Sequence, residues 1–519
     1  MWISKSGLVY TNRLFALAVF FIGAGLCVDV FVLLHWLNAP LLDEHSFRQT
    51  QTALTSLWLL KGGPFLTYQT PVLGAPWAIP FEFPFYQGLV ALIALTGIPL
   101  DAAGRLVSFF FFVLSVVPLK MLWNDLKLPL LGFPITCALL LLSPEYVFYS
   151  RTFLMESCAW FFSLLWLAFF IRFLGDGRLV IFFAALLSGA LAILVKATTP
   201  PAFLVLGGLA FLNFCFKTQQ NKDINKNIVK ITLAILLMGL PLAIGTAWTE
   251  FADALKAQNI IGQYLTAKHL EGWNFGTISQ RLSFKLWVEV ILGRVFTYTF
   301  GLAWIFVFIP LAAVRAFPRE KKIVLALLLA FLVPFLIFTN LHIIHNYYQY
   351  ANEAFLVCAV GISLGCLGDP NKKPVLSACI LSIIIVSQIG SFCIFQLPWL
   401  RKNPANIPDY VIALAAKAEI PSGNSLLVIG DDWTSVVPYY SQRKSLAIPA
   451  FLPNDKTEEI LQNPQAYLGR YPLGGAVVCT PTSLSKNNQQ LLQKILSEGK
   501  VISSSKNCAL TKLTSAPKT

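Results

Sequence analysis

Long apolar runs separated by short polar stretches dominate the chain between residues 14 and 397. A run of roughly 17–25 apolar residues is long enough to cross a bilayer as a helix. The pattern therefore predicts an all-α polytopic membrane protein with about 11 transmembrane helices, in a range of roughly 10–13, together with interfacial helices. The predicted spans lie at 14–37, 104–122, 129–148, 157–174, 179–195, 200–216, 230–248, 287–313, 322–339, 350–368 and 374–397.

A further apolar run at 84–100 (PFYQGLVALIALTGIPL) is assigned from the distribution of charge. Lys and Arg concentrate in the cytoplasmic loops of membrane proteins. If 84–100 does not cross, the N-terminus and the basic segments 216–230 (FKTQQNKDINKNIVK) and 315–322 (RAFPREKK) all face the cytoplasm. We therefore predict that 84–100 is an interfacial or re-entrant helix in a protein of the cytoplasmic (inner) membrane.

The remaining loops then share the opposite, extracytoplasmic face, and most of the unusual polar residues lie in them. These segments are 38–82, 101–105, 149–156, 195–201, 249–286 and 342–349. Polar groups of this density beside a membrane are candidates for a functional site.

Residues 400–519 are more polar and follow the last predicted span. Short apolar stretches (SLLVIGDD, SLAIPAF, GGAVVCT and KVISSSK) alternate with helical patterns (IPDYVIALAAKA, NDKTEEILQN and NNQQLLQKILSEG). This alternation predicts a small C-terminal α/β domain on the extracytoplasmic face. The domains are thus 1–399, a transmembrane catalytic domain, and 400–519, a soluble domain in which Cys479 and Cys508 can pair if the compartment is oxidising.

The composition agrees with a membrane protein, since 56% of the residues are hydrophobic and 12% are charged. A net charge of +14 is also found in nucleic-acid-binding proteins. Here, however, the basic residues lie in short loops between apolar runs, where they orient a membrane protein. The expected partner is therefore the lipid bilayer and not nucleic acid.

Acidic residues follow the first span, at Asp43 and Glu44. A carboxylate near apolar surface has a raised pKa and becomes a better base, which suggests Asp43 as a general base. In the alternative, Asp43 caps a short helix that starts near residue 44, and Glu44 pairs with Arg48 at i,i+4 spacing. Glu82, in FEFPFYQ, is either a second carboxylate that orients an acceptor hydroxyl or holds a metal, or a solvated acid.

Basic residues of the same face are Arg105, Arg151 and Lys196. Arginine presents several fixed donors that suit phosphate oxygens, and lysine adds a point charge. A lipid phosphate has its head group at this depth, so we expect these residues to bind one. The alternative is snorkelling toward water, with Arg151 paired to Glu156.

The segment HIIHNYY contains His342, His345, Tyr347 and Tyr348. Two histidines at i,i+3 spacing share a helical face and suit a metal ion, so a divalent cation is left open as a cofactor. The alternative is an aromatic belt at the interface.

In their order along residues 10–400, these motifs resemble the GT-C glycosyltransferases, in the branch of the protein O-mannosyltransferases and the aminoarabinose lipid A transferases. That branch has an acidic pair after the first helix, as at Asp43 and Glu44. It also has a carboxylate followed by proline, as at Glu82, and an arginine that opens the next helix, as at Arg105.

Three later motifs extend the resemblance. An arginine–acid segment is similar to Arg151–Glu156, although Glu stands where the branch has Asp. A lysine–proline segment is similar to Lys196 and Pro200, and a histidine–tyrosine segment to HNYY. Phe83 stands where the lipid A transferases have lysine, and the histidine–proline–proline of the protein mannosyltransferases is missing, so neither acceptor is indicated.

The resemblance implies a glycosyltransferase that moves a sugar from a polyprenyl-phosphate donor to a lipid, glycan or protein acceptor. Asp43 and Glu44 would be catalytic, and Arg105, Arg151 and Lys196 would bind the donor phosphate. The other polar residues would position the acceptor or a metal ion: Glu82, Glu156, His342, His345, Tyr347 and Tyr348. The alternatives are a transporter or flippase of a lipid-linked glycan, and a surface-glycan ligase or polymerase.

Overall fold

The structure, a computed structural model, describes residues 5–220, 224–480 and 484–513. Helices predominate in the first half of the chain. They are α1 (Lys5–His35), α2 (Ser46–Leu60), α3 (Phe85–Ala94), α4 (Leu100–Leu114), α5 (Val116–Asp125), α6 (Gly132–Leu142), α7 (Pro144–Tyr149), α8 (Glu156–Asp176), α9 (Leu179–Val195), α10 (Pro200–Gln220) and α11 (Ile224–Lys256).

The middle of the chain is also helical, with several departures from α-geometry. Its α-helices are α12 (Glu271–Phe275), α13 (Ile278–Arg281), α14 (Phe296–Phe300), α15 (Ile309–Ala316), α16 (Lys321–Ile337), α17 (Thr339–Ile344), α18 (Tyr350–Leu367), α19 (Pro374–Ser391) and α20 (Leu397–Leu400). The π-helical segments are Lys285–Val295 and Phe392–Gln396, and the 3₁₀ segments are Gly262–Leu265, Gly301–Phe308 and Tyr347–Gln349.

Eight helices in the described part of the chain are long and apolar enough to cross a membrane. They are Val9–His35, Leu100–Asp125, Glu156–Asp176, Pro200–Gln220, Asn227–Lys256, Lys285–Ala316, Tyr347–Leu367 and Pro374–Leu400. Shorter apolar helices are Phe85–Ala94, Gly132–Leu142 and Leu179–Val195. The multi-pass helical architecture is thus confirmed, while the number of about 11 spans and the assignment of 84–100 as an interfacial or re-entrant helix stay predictions.

Contacts between residues divide the chain into two compact units. The helical unit consists of Met1–Leu37, Arg105–Ala247 and Glu271–Pro398, and the sheet unit of Asn38–Gly104, Trp248–Leu270 and Trp399–Thr519. The loop after the first span thus belongs to the same unit as the C-terminal tail. The functional division at residues 399 and 400 is not tested by these contacts and stays a prediction.

The core of the helical unit lies around α18, of which 94% is buried. Small residues allow α6 and α18 to pack at close range. A Cβ atom on Gly365 would lie 2.5 Å from the nitrogen of Gly132, and one on Gly361 would lie 2.0 Å from Oγ1 of Thr136. Such approaches are typical of helices that pack inside a membrane, where close van der Waals contact drives association.

The sheet unit contains a five-stranded mixed sheet built from the tail. Its strands are β1 (Ser425–Ile429), β2 (Ser445–Ile448), β3 (Leu473–Cys479), β4 (Gly499–Ser505) and β5 (Cys508–Leu513), in the order β2-β1-β3-β5-β4. β1 pairs in parallel with β2 and β3, whereas β5 is antiparallel to β3 and β4. All five residues of β1 are buried, as expected for a central parallel strand with both faces covered.

The predicted α/β tail is confirmed as a small C-terminal sheet. Its helices are α21 (Pro408–Glu419), α22 (Val436–Ser441), α23 (Asn454–Gln462) and α24 (Lys486–Ser497), with 3₁₀ turns at Pro404–Asn406 and Pro464–Tyr467. The sequence pattern missed α22 and β5. Cys479 and Cys508 form a disulfide that joins β3 to β5.

Candidate active site

The acidic segment after the first span lies in the sheet unit. Asp43 is buried, and the side-chain amide of Gln49 donates hydrogen bonds to Oδ1 of Asp43 and, at 2.9 Å, to the main-chain oxygen of Glu44. The N-cap position of α2 is held by His45, in the left-handed conformation (φ 59°), without a side-chain cap. Asp43 is therefore not the N-cap residue of α2, and its carboxylate is fixed by the second turn of that helix.

A second carboxylate of the sheet unit, Glu82, forms an ion pair with Arg48 of α2. The hydroxyl of Tyr68 donates to the main-chain oxygen of Glu82 at 2.8 Å and accepts from the main-chain N–H of Phe81 at 2.7 Å. Burial, together with the charge of Glu82, raises the pKa of Tyr68 far above its ordinary value, so the phenol stays protonated. The loop that carries Glu82 is thus tied to α2.

A cation of the tail, Lys402, lies within electrostatic range of the acidic pair. Its Nζ is 3.5 Å from the ring centroid of Trp399. Burial lowers the pKa of Lys402, while the charges of Asp43 and Glu44 act in the opposite direction and favour the ammonium form. The acidic segment therefore has a counter-charge that comes from the far end of the chain.

In the helical unit, Lys196 directly follows α9 and has extended backbone geometry. Its ammonium forms an ion pair with Glu156 at the start of α8, and both side chains are almost completely buried. Nζ of Lys196 also lies 4.1 Å from the ring centroid of Tyr348 and 4.9 Å from that of Tyr347. Four residues from three distant parts of the sequence thus meet at one buried ammonium.

The two histidines flank this cluster. Burial, followed by the charges of Arg294 and Lys196, lowers the pKa of His342 to about 3, so its imidazole is neutral at physiological pH. His345 stacks on Tyr347 with ring centroids 5.3 Å apart. Among the described residues, no three His, Cys, Asp or Glu side chains are grouped so that they could hold a metal ion. A divalent cofactor stays a prediction from the sequence.

The main chain beneath these histidines is held by Arg294, which lies in the π-helical segment. Its guanidinium donates to the main-chain oxygens of His342 and, at 3.2 Å, of Ile343. Gln349 donates to the same oxygen of His342 at 2.9 Å. These hydrogen bonds satisfy carbonyl groups at the end of α17, where intrahelical partners run out.

Two predicted phosphate ligands are buried arginines. Arg105, in α4, donates from Nη1 to the main-chain oxygen of Leu37 at 3.1 Å. The guanidinium of Arg151 lies 5.2 Å from the ring centroid of Phe148. A hydrogen bond of 2.7 Å from the hydroxyl of Tyr149 to Asn346 connects this segment to the one that carries Tyr347 and Tyr348.

Sequence reasoning did not assign a role in the site to Arg48, Gln49, Lys402 or Arg294. Arg294 carries the clearest signal, because a charge inside an apolar run is costly unless it has a partner. Gln49 has no such signal, since an amide six residues after an acid has no characteristic spacing.

Solved structures with the same architecture identify the fold. The chain is similar to ArnT from Cupriavidus metallidurans bound to undecaprenyl phosphate, with a TM-score of 0.62, 15% identity and coverage of 99% of this chain and 100% of that one. The apo state of ArnT gives a TM-score of 0.60 at 16% identity, covering 96% of this chain and 99% of that one. These proteins are GT-C superfamily membrane glycosyltransferases.

This chain has the GT-C fold. A third similar structure is the archaeal oligosaccharyltransferase AglB from Archaeoglobus fulgidus, in complex with an inhibitory peptide and a dolichol-phosphate. Its TM-score is 0.59 at 11% identity, over 89% of this chain and 69% of that one. No protein-family model and no curated protein sequence matches the chain. The GT-C fold predicted from the order of the motifs is confirmed, as is a multi-pass membrane protein.

Proposed function

We propose that this GT-C protein is a glycosyltransferase that moves a sugar from a polyprenyl-phosphate donor to an acceptor hydroxyl. The supporting observation is the fold, which extends over nearly the whole chain and is shared with ArnT bound to undecaprenyl phosphate and with AglB in complex with a dolichol-phosphate. Polyprenyl phosphates combine a long apolar tail with an anionic head. A bundle of apolar helices with buried cations suits a lipid of this kind.

The donor phosphate is bound by Arg105, Arg151 and Lys196 in this proposal. All three cations are almost fully buried, and hydrogen bonds between cations and phosphate are among the stronger ones in proteins. In the absence of donor, Glu156 and the two tyrosine rings stabilise the ammonium of Lys196. As the sugar is transferred, these cations stabilise the negative charge that grows on the departing phosphate.

Asp43 is the general base. It takes the proton of the acceptor hydroxyl, and the oxygen attacks the anomeric carbon as the bond from that carbon to the phosphate oxygen breaks. The electron pair of that bond leaves with the polyprenyl phosphate. One direct displacement of this kind inverts the anomeric configuration. Gln49 supports the role, because it orients the carboxylate through Oδ1.

The remaining predicted residues position the acceptor. Glu44 and Glu82 accept hydrogen bonds from acceptor hydroxyls, and Arg48 orients Glu82. Glu156, His342, His345, Tyr347 and Tyr348 shape the surroundings of Lys196 and so of the leaving phosphate.

The reaction takes place on the extracytoplasmic side of the cytoplasmic membrane, with the N-terminus in the cytoplasm. The disulfide between Cys479 and Cys508 supports this orientation, because disulfides form and persist in oxidising compartments. The positive charge of the loops on the opposite side points the same way.

Transfer in detergent micelles tests the function and separates it from flipping. The purified protein is mixed with polyprenyl-phosphate sugars and an extract of cell-envelope glycolipids, and mass spectrometry follows the products. A transferase glycosylates an acceptor and releases polyprenyl phosphate, whereas a flippase leaves both reactants unchanged where no membrane separates two compartments. No transfer by a folded protein from any such donor would contradict the proposal.

A further inference from the structure

Two adjacent tyrosines of the tail, Tyr439 and Tyr440, lie in α22 of the sheet unit. The hydroxyl of Tyr440 accepts a hydrogen bond from the main-chain N–H of Leu41 at 2.5 Å and donates one to Oδ2 of Asp101 at 3.2 Å. Tyr439 donates to the other carboxylate oxygen of Asp101. One phenol therefore uses both of its hydrogen-bonding functions on segments more than 330 residues earlier in the chain.

The hydrogen bond at Leu41 is partly buried. Leu41 is completely buried, and a buried main-chain N–H that loses its partner costs about 1–3 kcal/mol. Asp43 comes two residues later, and Gln49 holds its carboxylate from the side of α2. The short stretch 41–43 is thus fixed by the tail at one end and by α2 at the other.

The helix that carries the tyrosines, α22, is fixed by packing within the sheet unit. Val436 and Val437, in the first turn of α22, are buried. The ring of Tyr440 is perpendicular to that of Tyr410, with centroids 4.7 Å apart, and lies 4.8 Å from that of Tyr439. A site is held most accurately by rigid elements whose side chains are locked by packing, and α22 meets this description.

We propose that Tyr440 is a positioning residue, through which the C-terminal domain sets the main chain of residues 41–43 and so aims the carboxylate of Asp43. This assigns a role in the reaction to the tail. The inference rests on the proposed function, because it takes Asp43 to be the base.

Tyr440→Phe tests the inference, because it removes the hydroxyl and keeps the ring between its aromatic neighbours. The matched control is Tyr467→Phe, which removes a hydroxyl that donates to Glu459 elsewhere in the same tail. Hydrogen–deuterium exchange of the peptide 38–45 is the first measurement. We expect faster exchange at Leu41 in Tyr440→Phe and no change in Tyr467→Phe.

Sugar transfer is the second measurement. A misplacement of about 1 Å by a substitution away from the reacting atoms lowers a rate by up to about 100-fold, so we expect kcat to fall roughly 10- to 100-fold in Tyr440→Phe. The KM for the donor should stay within about twofold, since no donor contact is removed. In a variant that only loosened the fold, kcat would fall and the KM for the donor would rise together.

Asp101→Asn provides a second variant, since it weakens the acceptor of Tyr440 and leaves the hydroxyl present. We expect the rate of hydrogen exchange at Leu41 and the kcat of this variant to lie between those of the wild-type protein and those of Tyr440→Phe. Formation of the disulfide between Cys479 and Cys508 shows that the tail of each variant has folded.

Three outcomes are decisive. Exchange and kcat in Tyr440→Phe that equal those of Tyr467→Phe would overturn the inference and leave the proposed function in place. Reduced kcat with unchanged exchange at Leu41 would also overturn it. If the wild-type protein transfers no sugar, the proposed function falls, and hydrogen exchange still decides whether Tyr440 fixes the segment.

Discussion

Two ion pairs of this protein have similar chemistry in different surroundings. The Lys196–Glu156 pair of the helical unit has side chains that are 6% and 5% exposed, whereas the Arg48–Glu82 pair of the sheet unit is 16% and 22% exposed. Water screens an exposed pair, so such a pair contributes little to stability and loosens readily. A buried pair is different, because each charge depends on its partner for stabilisation.

This difference suits different tasks. A buried ammonium that already has a carboxylate and two aromatic rings around it is prepared for an anion, which adds to or replaces existing stabilisation. A partly exposed pair between α2 and a loop can exchange partners with the hydroxyl groups of an incoming acceptor at smaller cost than a buried one. This contrast agrees with the proposal that the helical unit binds the lipid phosphate and that the sheet unit serves the acceptor and proton transfer.

The largest effect is expected from Asp43→Asn, which tests the chemistry of the sheet unit. Asparagine keeps the shape of the side chain but cannot take a proton at neutral pH. We expect kcat to fall by about 10²–10⁴-fold, the usual contribution of a general base, with the KM for the donor nearly unchanged. The measurement is transfer in detergent micelles. Glu44→Gln makes the same change of charge one residue later and should cost less than about tenfold. Equal losses would remove the special role of Asp43.

Lys196→Met breaks the buried pair and leaves Glu156 without its ammonium. Removing one partner of such a pair lowers the free energy of unfolding by about 3–5 kcal/mol. The KM for the donor should rise as well. The double variant Lys196→Met/Glu156→Gln should recover most of the stability without recovering donor use. Thermal unfolding and donor titration measure the two effects, and recovery of both by the double variant would remove Lys196 from phosphate binding.

Arg48→Gln breaks the more exposed pair, and the expected loss of stability is smaller. Pairs of this kind contribute about 0.2–1 kcal/mol, and salt weakens them. The difference in stability from the wild-type protein should therefore shrink in about 0.5 M salt, well above the physiological range. Thermal unfolding at two salt concentrations measures it. A loss as large as that of Lys196→Met would show that the two pairs do not differ as their exposure suggests.

A prediction on the pH dependence of stability, and not on activity, concerns Asp431, which follows β1 in the sheet unit. Burial, with the charges of Asp409 and Asp432, raises the pKa of Asp431 to about 8 from an ordinary value of 3.8. The folded state therefore keeps a proton that the unfolded state has released, and stability falls as the pH rises from about 4 to about 8. Asp431→Asn should reduce this dependence of stability on pH. Unfolding followed by fluorescence at several pH values measures it. Asp455→Asn, at an exposed position of α23, should leave it unchanged.

Much of the architecture could be predicted from the sequence, because its cause is local. An apolar run such as 14–37 has to become a helix in lipid, where each main-chain polar group needs a partner within the segment. The buried strands β1 and β3 can also be recognised from the local sequence, because each is a short and largely apolar stretch. β5 was missed because CALTKL is short and only partly apolar, and it is specified by its pairing with β3 and β4.

The candidate residues could be identified from the chemistry of their side chains, but the residues that they contact could not. Lys196 and Glu156 are 40 residues apart, and nothing in the spacing of the sequence links them. The same holds for Tyr440 and Leu41, at a separation of 399 residues. Contacts of this kind depend on how the elements pack, so the sequence indicates which groups are unusual and the structure shows what each of them meets.

The sheet unit is assembled from three stretches of chain, and the last of them begins at Trp399. During synthesis Tyr440 leaves the ribosome 399 residues after Leu41, which takes on the order of 20–80 s at ordinary rates of elongation. For that time Leu41 has no Tyr440 to bind. The proposed catalytic segment thus reaches its final geometry only when translation is nearly complete, and a nascent chain that stops before residue 399 is expected to be inert even where its helices have inserted.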